Sequence, residues 1–217
     1  MRADAIIGVD FDNTLVSYDE LMQAIALKEG WLSLEAAGAG SGRGANKRQI
    51  RDQLRRLTDG ETLWQRLQAR AYGTEIAAAP LMDGVEEFLV ACRQRGATVY
   101  VVSHKTASAA ADLAGSNLRA AALAWMEEHG FFAPGRFGLS RSHVFFESTR
   151  REKVQRITAL GCTHYIDDLE DTFSEPGFPG LTEKILYAPE GASRALAGVR
   201  VHRTWGEIHE HLFGARA

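Results

Sequence analysis

Two carboxylates stand two positions apart in Asp10-Phe11-Asp12-Asn13-Thr14-Leu15, directly after the apolar run Ala5–Val9 (AIIGV). Such a pair at a strand end can coordinate a hard cation, attack an electrophile or move a proton. A calcium loop of the EF-hand type is excluded. Counted from Asp10, positions 6 and 12 hold Leu15 and Leu21, where glycine and an acidic residue are required. Farther along, Ser103 ends another apolar run, Lys153 stands early in a helical stretch, and Asp167 and Asp168 close a later run. Carboxylates gathered in one place need cations to offset their charge. A Mg²⁺ ion and Lys153 would supply them.

The elements that position these residues follow from periodicity. Continuous apolar runs suit strands covered on both faces. They occur at Ala5–Val9, Ala97–Val102, His143–Phe146, Thr163–Ile166 and Glu183–Tyr187, with a short sixth at Val199–Val201. Helical spacing recurs between them. Val85, Phe88, Leu89 and Cys92 precede Gly96, Leu118 to Met126 precede Gly130, and Val154, Ile157 and Leu160 precede Gly161. Alternating strands and helices predict a parallel sheet in a three-layer α/β/α, Rossmann-like sandwich. The strand C-termini then share one edge, where such sheets bind ligands.

One segment breaks the alternation. Residues 18–79 hold no strand pattern and read as helices at Tyr18–Glu29, Asn46–Leu57 (Ile50, Leu54 and Leu57 on one face) and Glu61–Ala71, with a Gly-rich loop at Gly38–Gly44. That loop lacks the Gly-Lys-Ser/Thr ending of a phosphate-binding P-loop. The expected division is an α/β core of residues 1–17 and 80–217 and a helical cap of residues 18–79 inserted after the first strand. Substrate choice is expected to lie in the cap. Lys47, Arg51 and Arg55 form a basic stripe there, read as a solvated face, and Tyr18, Trp31, Trp64 and Tyr72 serve packing or stacking equally well.

The 217 residues carry 25 Lys and Arg against 28 Asp and Glu, a formal charge of -3. This lacks the basic surplus of a nucleic-acid binder. Two cysteines, Cys92 and Cys162, are too few for a disulfide scaffold. No run of ~18 apolar residues suggests a membrane span, and the N-terminus does not read as a signal peptide. The expectation is a cytoplasmic protein acting on a small molecule, with neither nucleic acid nor membrane as partner; the oligomeric state is not readable. Cys162 with His164, and His209 with His211, read as structural.

The motifs, taken in order, resemble those of the haloacid dehalogenase superfamily, most of whose members are phosphatases. They are DFDNTL (Asp10 to Leu15), VYVVS ending at Ser103, Lys153 within TRREKVQRI, and YIDDLED (Tyr165 to Asp171). The first and last are specific; the middle two are single residues. The insert is similar to the family's small helical cap of the C1 type. The resemblance implies that Asp10 is the nucleophile forming an aspartyl-phosphate, and that Asp12 is the general acid and then the base. Ser103 and Lys153 would hold the phosphate, helped by backbone N–H groups after Asp10 and by Asn13, Thr14 and His104. It implies Mg²⁺ held by Asp10, the backbone carbonyl of Asp12 and Asp168, with Asp167 in support; the roles of Asp167 and Asp168 can be exchanged. Arg150 and Arg151 are rival cations to Lys153. Asp171 would hold a metal-bound water or simply start a helix.

The function so implied is Mg²⁺-dependent hydrolysis of a small phosphomonoester. A phosphotransferase or phosphomutase of the same superfamily is the nearest alternative, and a catalytically silent binding protein on the same fold is the alternative of another class. An end-processing phosphatase of nucleic acids is disfavoured by charge. A carbon–halogen hydrolase is disfavoured by Asp12.

Overall fold

The computed structural model describes residues 5–35, 44–109, 115–195 and 197–214. Apart from Gly44, the expected Gly-rich loop lies outside the described residues. In chain order the elements are β1 (Ile6–Val9), α1 (Asp19–Lys28), α2 (Lys47–Leu54), α3 (Gly60–Ala69), α4 (Val85–Gln94), β2 (Thr98–His104) and α5 (Leu118–Glu128). They continue with β3 (Val144–Glu147), α6 (Arg150–Ala159), β4 (His164–Asp167), α7 (Glu170–Ser174), β5 (Glu183–Tyr187), β6 (Val199–His202) and α8 (Trp205–Phe213). The chain divides into two compact units. The first is Met1–Leu15, Leu81–Lys105 and Glu127–Ala217; the second is Val16–Pro80 and Thr106–Met126.

The first unit is built on one six-stranded sheet in the order β3-β2-β1-β4-β5-β6. Every pairing is parallel, and helices cover both faces, as the apolar runs predict. The chain builds outward from β1 through β2 to β3, then returns to the other side of β1 for β4, β5 and β6. The order therefore reverses between β1 and β4, the position at which open parallel sheets bind ligands beyond their strand C-termini. Asp10 follows β1 and Asp167 ends β4, so the two carboxylates bracket that crevice. Register places them level: Val9 lies opposite Ile166, and the Asp10 amide donates to the Ile166 carbonyl at 2.9 Å.

Packing holds the strand ends in place. On one face α4 meets α8, with Phe88 against Trp205 and Phe213. Elsewhere Val102, Ile157, Tyr165, Phe173 and Leu186 form a continuous buried cluster. Tyr165 fills the space beside Gly8 and donates its hydroxyl to the Val102 carbonyl. A Cβ on Gly8 would lie 2.6 Å from Tyr165 Cδ2, so β1 needs glycine here for the ring to lie against it.

The second unit is helical. Asn46 starts α2 with a reciprocal capping box to Gln49. The helix is shorter than its sequence suggests. It stops at Leu54, where Arg56 and Leu57 donate to the Gln53 and Leu54 carbonyls and tighten the chain into a turn. Leu57 is consequently 43% exposed rather than on the buried face with Ile50 and Leu54. Beyond α3 comes a π-helical turn, Arg70–Thr74, closed by the Glu75 amide on the Arg70 carbonyl. The Arg70 guanidinium bridges Glu29 and Glu75 at 2.7 and 2.6 Å across it. Tyr18 and Tyr72 pack edge to face, 4.7 Å between centroids, and Trp64 is buried, so these aromatics serve the unit's interior. Residues 106–126, which the sequence reading counts with the core, fall in this unit. The Trp125 indole donates to the Ala79 carbonyl at 2.8 Å, tying α5 to the end of the insert.

Because overpacking of a filled interior is destabilising, Gly8→Ala is expected to lower unfolding stability by about 1–3 kcal/mol. Urea unfolding monitored by circular dichroism checks this; an unchanged midpoint would contradict the close approach of Tyr165.

Candidate active site

Asp10 is 4% exposed and Asp167 fully buried. A buried carboxylate is tolerated only with compensation, and one lysine supplies it to both. Thr149 caps α6 through a reciprocal box with Glu152, fixing where the helix starts and placing Lys153 in its first turn. The Lys153 ammonium donates to Asp10 Oδ1 and Asp167 Oδ2, each at 2.6 Å, and lies 5.6 Å from the centroid of the Tyr165 ring. Burial works against the Lys153 charge, but Asp10 and Asp167 outweigh it and hold the ammonium above its ordinary range. Burial pushes the Asp10 carboxyl up to about 7, with Lys153 pulling against it and Asp167 reinforcing it. One ammonium thus serves two buried carboxylates.

Asp168 is half-buried at the mouth of the cluster, and the Thr14 hydroxyl donates to its Oδ1 at 3.5 Å. Asp10, Asp167 and Asp168 each bring an oxygen within 4.8 Å of the others. Among the described residues no other three His, Cys, Asp or Glu side chains converge in this way. A donor set made only of carboxylate oxygens fits a hard cation such as Mg²⁺ or Ca²⁺. Asp167 is also bound on its other oxygen, Oδ1, by the Leu169 amide. Asp171 lies apart in the first turn of α7, 65% exposed at its side chain and 3.4 Å from Arg194, with Arg150 at 3.7 Å.

The loop after β1 is held by its backbone. Asn13 takes a left-handed conformation (φ 59°), which asparagine tolerates better than most residues. Thr14 is fully buried, and its carbonyl accepts the Trp205 indole N–H at 3.0 Å. Phe11 is buried and packs edge-on to Phe146. At the end of β2, Ser103 is 1% exposed and its hydroxyl has no hydrogen-bond partner among the described residues. A buried hydroxyl left so costs free energy unless a ligand engages it. His104 is exposed and bonds the Ser148 carbonyl through Nε2 at 3.0 Å.

Lys105 is not among the site residues that the sequence motifs single out. Its side chain is only 2% exposed, and its ammonium donates to both oxygens of Asp12 at 2.8 and 2.9 Å. The signal available was weak: a lysine two positions beyond the strand-ending serine, 93 residues from its partner.

The remaining candidates are occupied elsewhere. Burial pushes the thiols of Cys92 and Cys162 up to about 12, which leaves neither as a thiolate nucleophile. His211 bonds Glu183 at 2.8 Å, and His164 lies 3.5 Å from the same carboxylate. In the basic stripe, Arg51 pairs with Asp52 and Arg55 with Glu61 at 2.7 Å, and the Lys47 ammonium lies 5.5 Å from the Tyr72 ring centroid. Among the described residues no helix is long and apolar enough to cross a membrane.

No protein-family model matches the sequence, and no curated protein does. Solved structures match over nearly its whole length. A haloacid dehalogenase family hydrolase from Deinococcus radiodurans R1, with bound phosphate and sodium, is 15% identical, with a TM-score of 0.55 over 96% of this chain and 94% of that one. The hydrolase YfnB from Bacillus subtilis, bound to magnesium, is 13% identical, with a TM-score of 0.54 over 99% and 100%. A dehalogenase is 12% identical, with a TM-score of 0.55 over the full length of both chains. This likeness over nearly the whole length shows that the chain has the fold of the haloacid dehalogenase-like hydrolases.

Proposed function

We propose that this protein is a Mg²⁺-dependent phosphomonoesterase that works through a phosphate ester of Asp10. The observation that carries the reading is the convergence of three carboxylates, two of them bridged by one buried ammonium, together with a buried Ser103 hydroxyl that has no partner among the described residues. The bound phosphate of the Deinococcus neighbour and the bound magnesium of the Bacillus one support it.

Asp10, Asp168 and the Asp12 carbonyl would hold the ion, with Asp167 supporting through Lys153. When bound, Mg²⁺ offsets the repulsion between the Asp10 carboxylate and the phosphate dianion. Asp10 attacks phosphorus, a new bond forms to its carboxylate oxygen, and the bond from phosphorus to the alcohol oxygen breaks. Asp12 gives its proton to the departing alkoxide. A water then loses a proton to Asp12, attacks the same phosphorus and restores Asp10 as inorganic phosphate leaves. Lys153 and Ser103 stabilise the phosphoryl oxygens throughout. The dehalogenase among the neighbours raises carbon–halogen cleavage. A halide leaves without needing a proton, so that chemistry would give a paired Asp12 nothing to do. We assign substrate choice to the helical unit, into which the chain passes just after the Asp12 loop.

A panel of sugar, nucleotide and glycerol phosphates should give inorganic phosphate without transfer to added sugars; transfer would indicate a phosphotransferase, and halide release from haloacids a dehalogenase. Asp10→Asn should lower turnover by roughly 10³-fold or more with an unchanged circular dichroism spectrum. Activity near wild type would remove Asp10 from the nucleophile's role. EDTA should silence the protein and Mg²⁺ restore it, and turnover indifferent to chelation would contradict the metal's part.

A further inference from the structure

We infer that Lys105 is the positioning residue of the proton-transfer carboxylate Asp12, a role that rests on the phosphomonoesterase reading. The two buried lysines at this sheet edge divide between different carboxylates. Lys153 serves Asp10 and Asp167. Lys105 holds both oxygens of Asp12, at nearly equal distances. A single donor shared by both oxygens fixes the direction in which the carboxylate points as well as its distance. Proton transfer to a leaving oxygen depends on that orientation, because the proton must lie on the line between the two heavy atoms.

The lysine is itself rigidly mounted. Its amide donates to the Glu147 carbonyl at 2.9 Å, continuing the pairing of β2 with β3 one residue beyond the strand. Its ammonium lies 5.4 Å from the centroid of Phe11, whose ring is in turn braced by Phe146. The chain leaves the first unit immediately after Lys105, so the lysine is the last residue fixed by the sheet. A group held by the scaffold on one side and bonded to a carboxylate on the other can set the geometry of that carboxylate. Direct phosphate binding by Lys105 would leave another mark. It would aid every ester alike, whereas orientation of Asp12 matters in proportion to how badly the leaving oxygen needs a proton.

The test compares a simple alkyl phosphate, whose alkoxide must be protonated, with p-nitrophenyl phosphate, whose phenolate leaves unaided. Lys105→Met should lower kcat/KM for the alkyl ester roughly tenfold or more beyond its effect on the nitrophenyl ester. Asp12→Asn should show the same selective loss, and the two together little more than Asp12→Asn alone. Lys105→Gln, closer to lysine in polarity, gives the same comparison should the methionine variant not fold. Equal losses on both esters would overturn the role of Lys105 while leaving the phosphatase reading intact. A wild-type protein that releases phosphate from no ester, neither these two nor the wider panel, would overturn both.

Discussion

The buried bridge of Lys153 between Asp10 and Asp167 is the interaction on which the rest depends. Removing two carboxylates and an ammonium from water is costly, and the arrangement persists only while each charge keeps its partners. The three come from separate places in the chain: the residue after β1, the first turn of α6 and the end of β4. The capping box at Thr149 sets the start of α6, the β1–β4 register brings the two aspartates level, and Gly8 admits the Tyr165 ring that lies beneath the ammonium. A change in any of these would leave a charge buried without its counterpart.

The same bridge explains why the site calls for something further. Asp168 brings a third carboxylate oxygen within 4.8 Å of those of Asp10 and Asp167, and burial, with Asp167 reinforcing it, raises the Asp10 carboxyl. A hard divalent cation held there would offset these negative charges and, under the proposed mechanism, let an anionic substrate approach an anionic nucleophile. The Ser103 hydroxyl, buried with no partner among the described residues, is under the same mechanism a second group for the phosphate. Asp12 is instead paired with Lys105. Under the proposed mechanism, Lys153 acts on the nucleophile's charge and Lys105 on the acid's orientation.

Much of this was legible in the sequence, for reasons that are local. A central strand of a parallel sheet is apolar on both faces, so AIIGV and its counterparts stand out, and the acidic residues ending them must share an edge. Lys153 could be placed because the helix around it has a clear start. What was not legible arises from contacts across long stretches of chain. Lys105 and Asp12 are 93 residues apart, and nothing local marks a lysine as buried against a carboxylate. The association of α5 with the inserted helices depends on the Trp125 indole meeting a single carbonyl at Ala79. The early end of α2, which leaves Leu57 exposed, comes from a turn whose residues also suit a helix.

The central claim is that the carboxylate of Asp10 becomes covalently phosphorylated. Turnover of a ³²P-labelled ester, quenched in acid within milliseconds and followed by peptide mapping, tests it directly. The label should reside on Asp10, be lost on treatment with hydroxylamine, and be absent when Asp10 is asparagine. Rapid hydrolysis with no label on the protein, or label on another residue, would contradict the account.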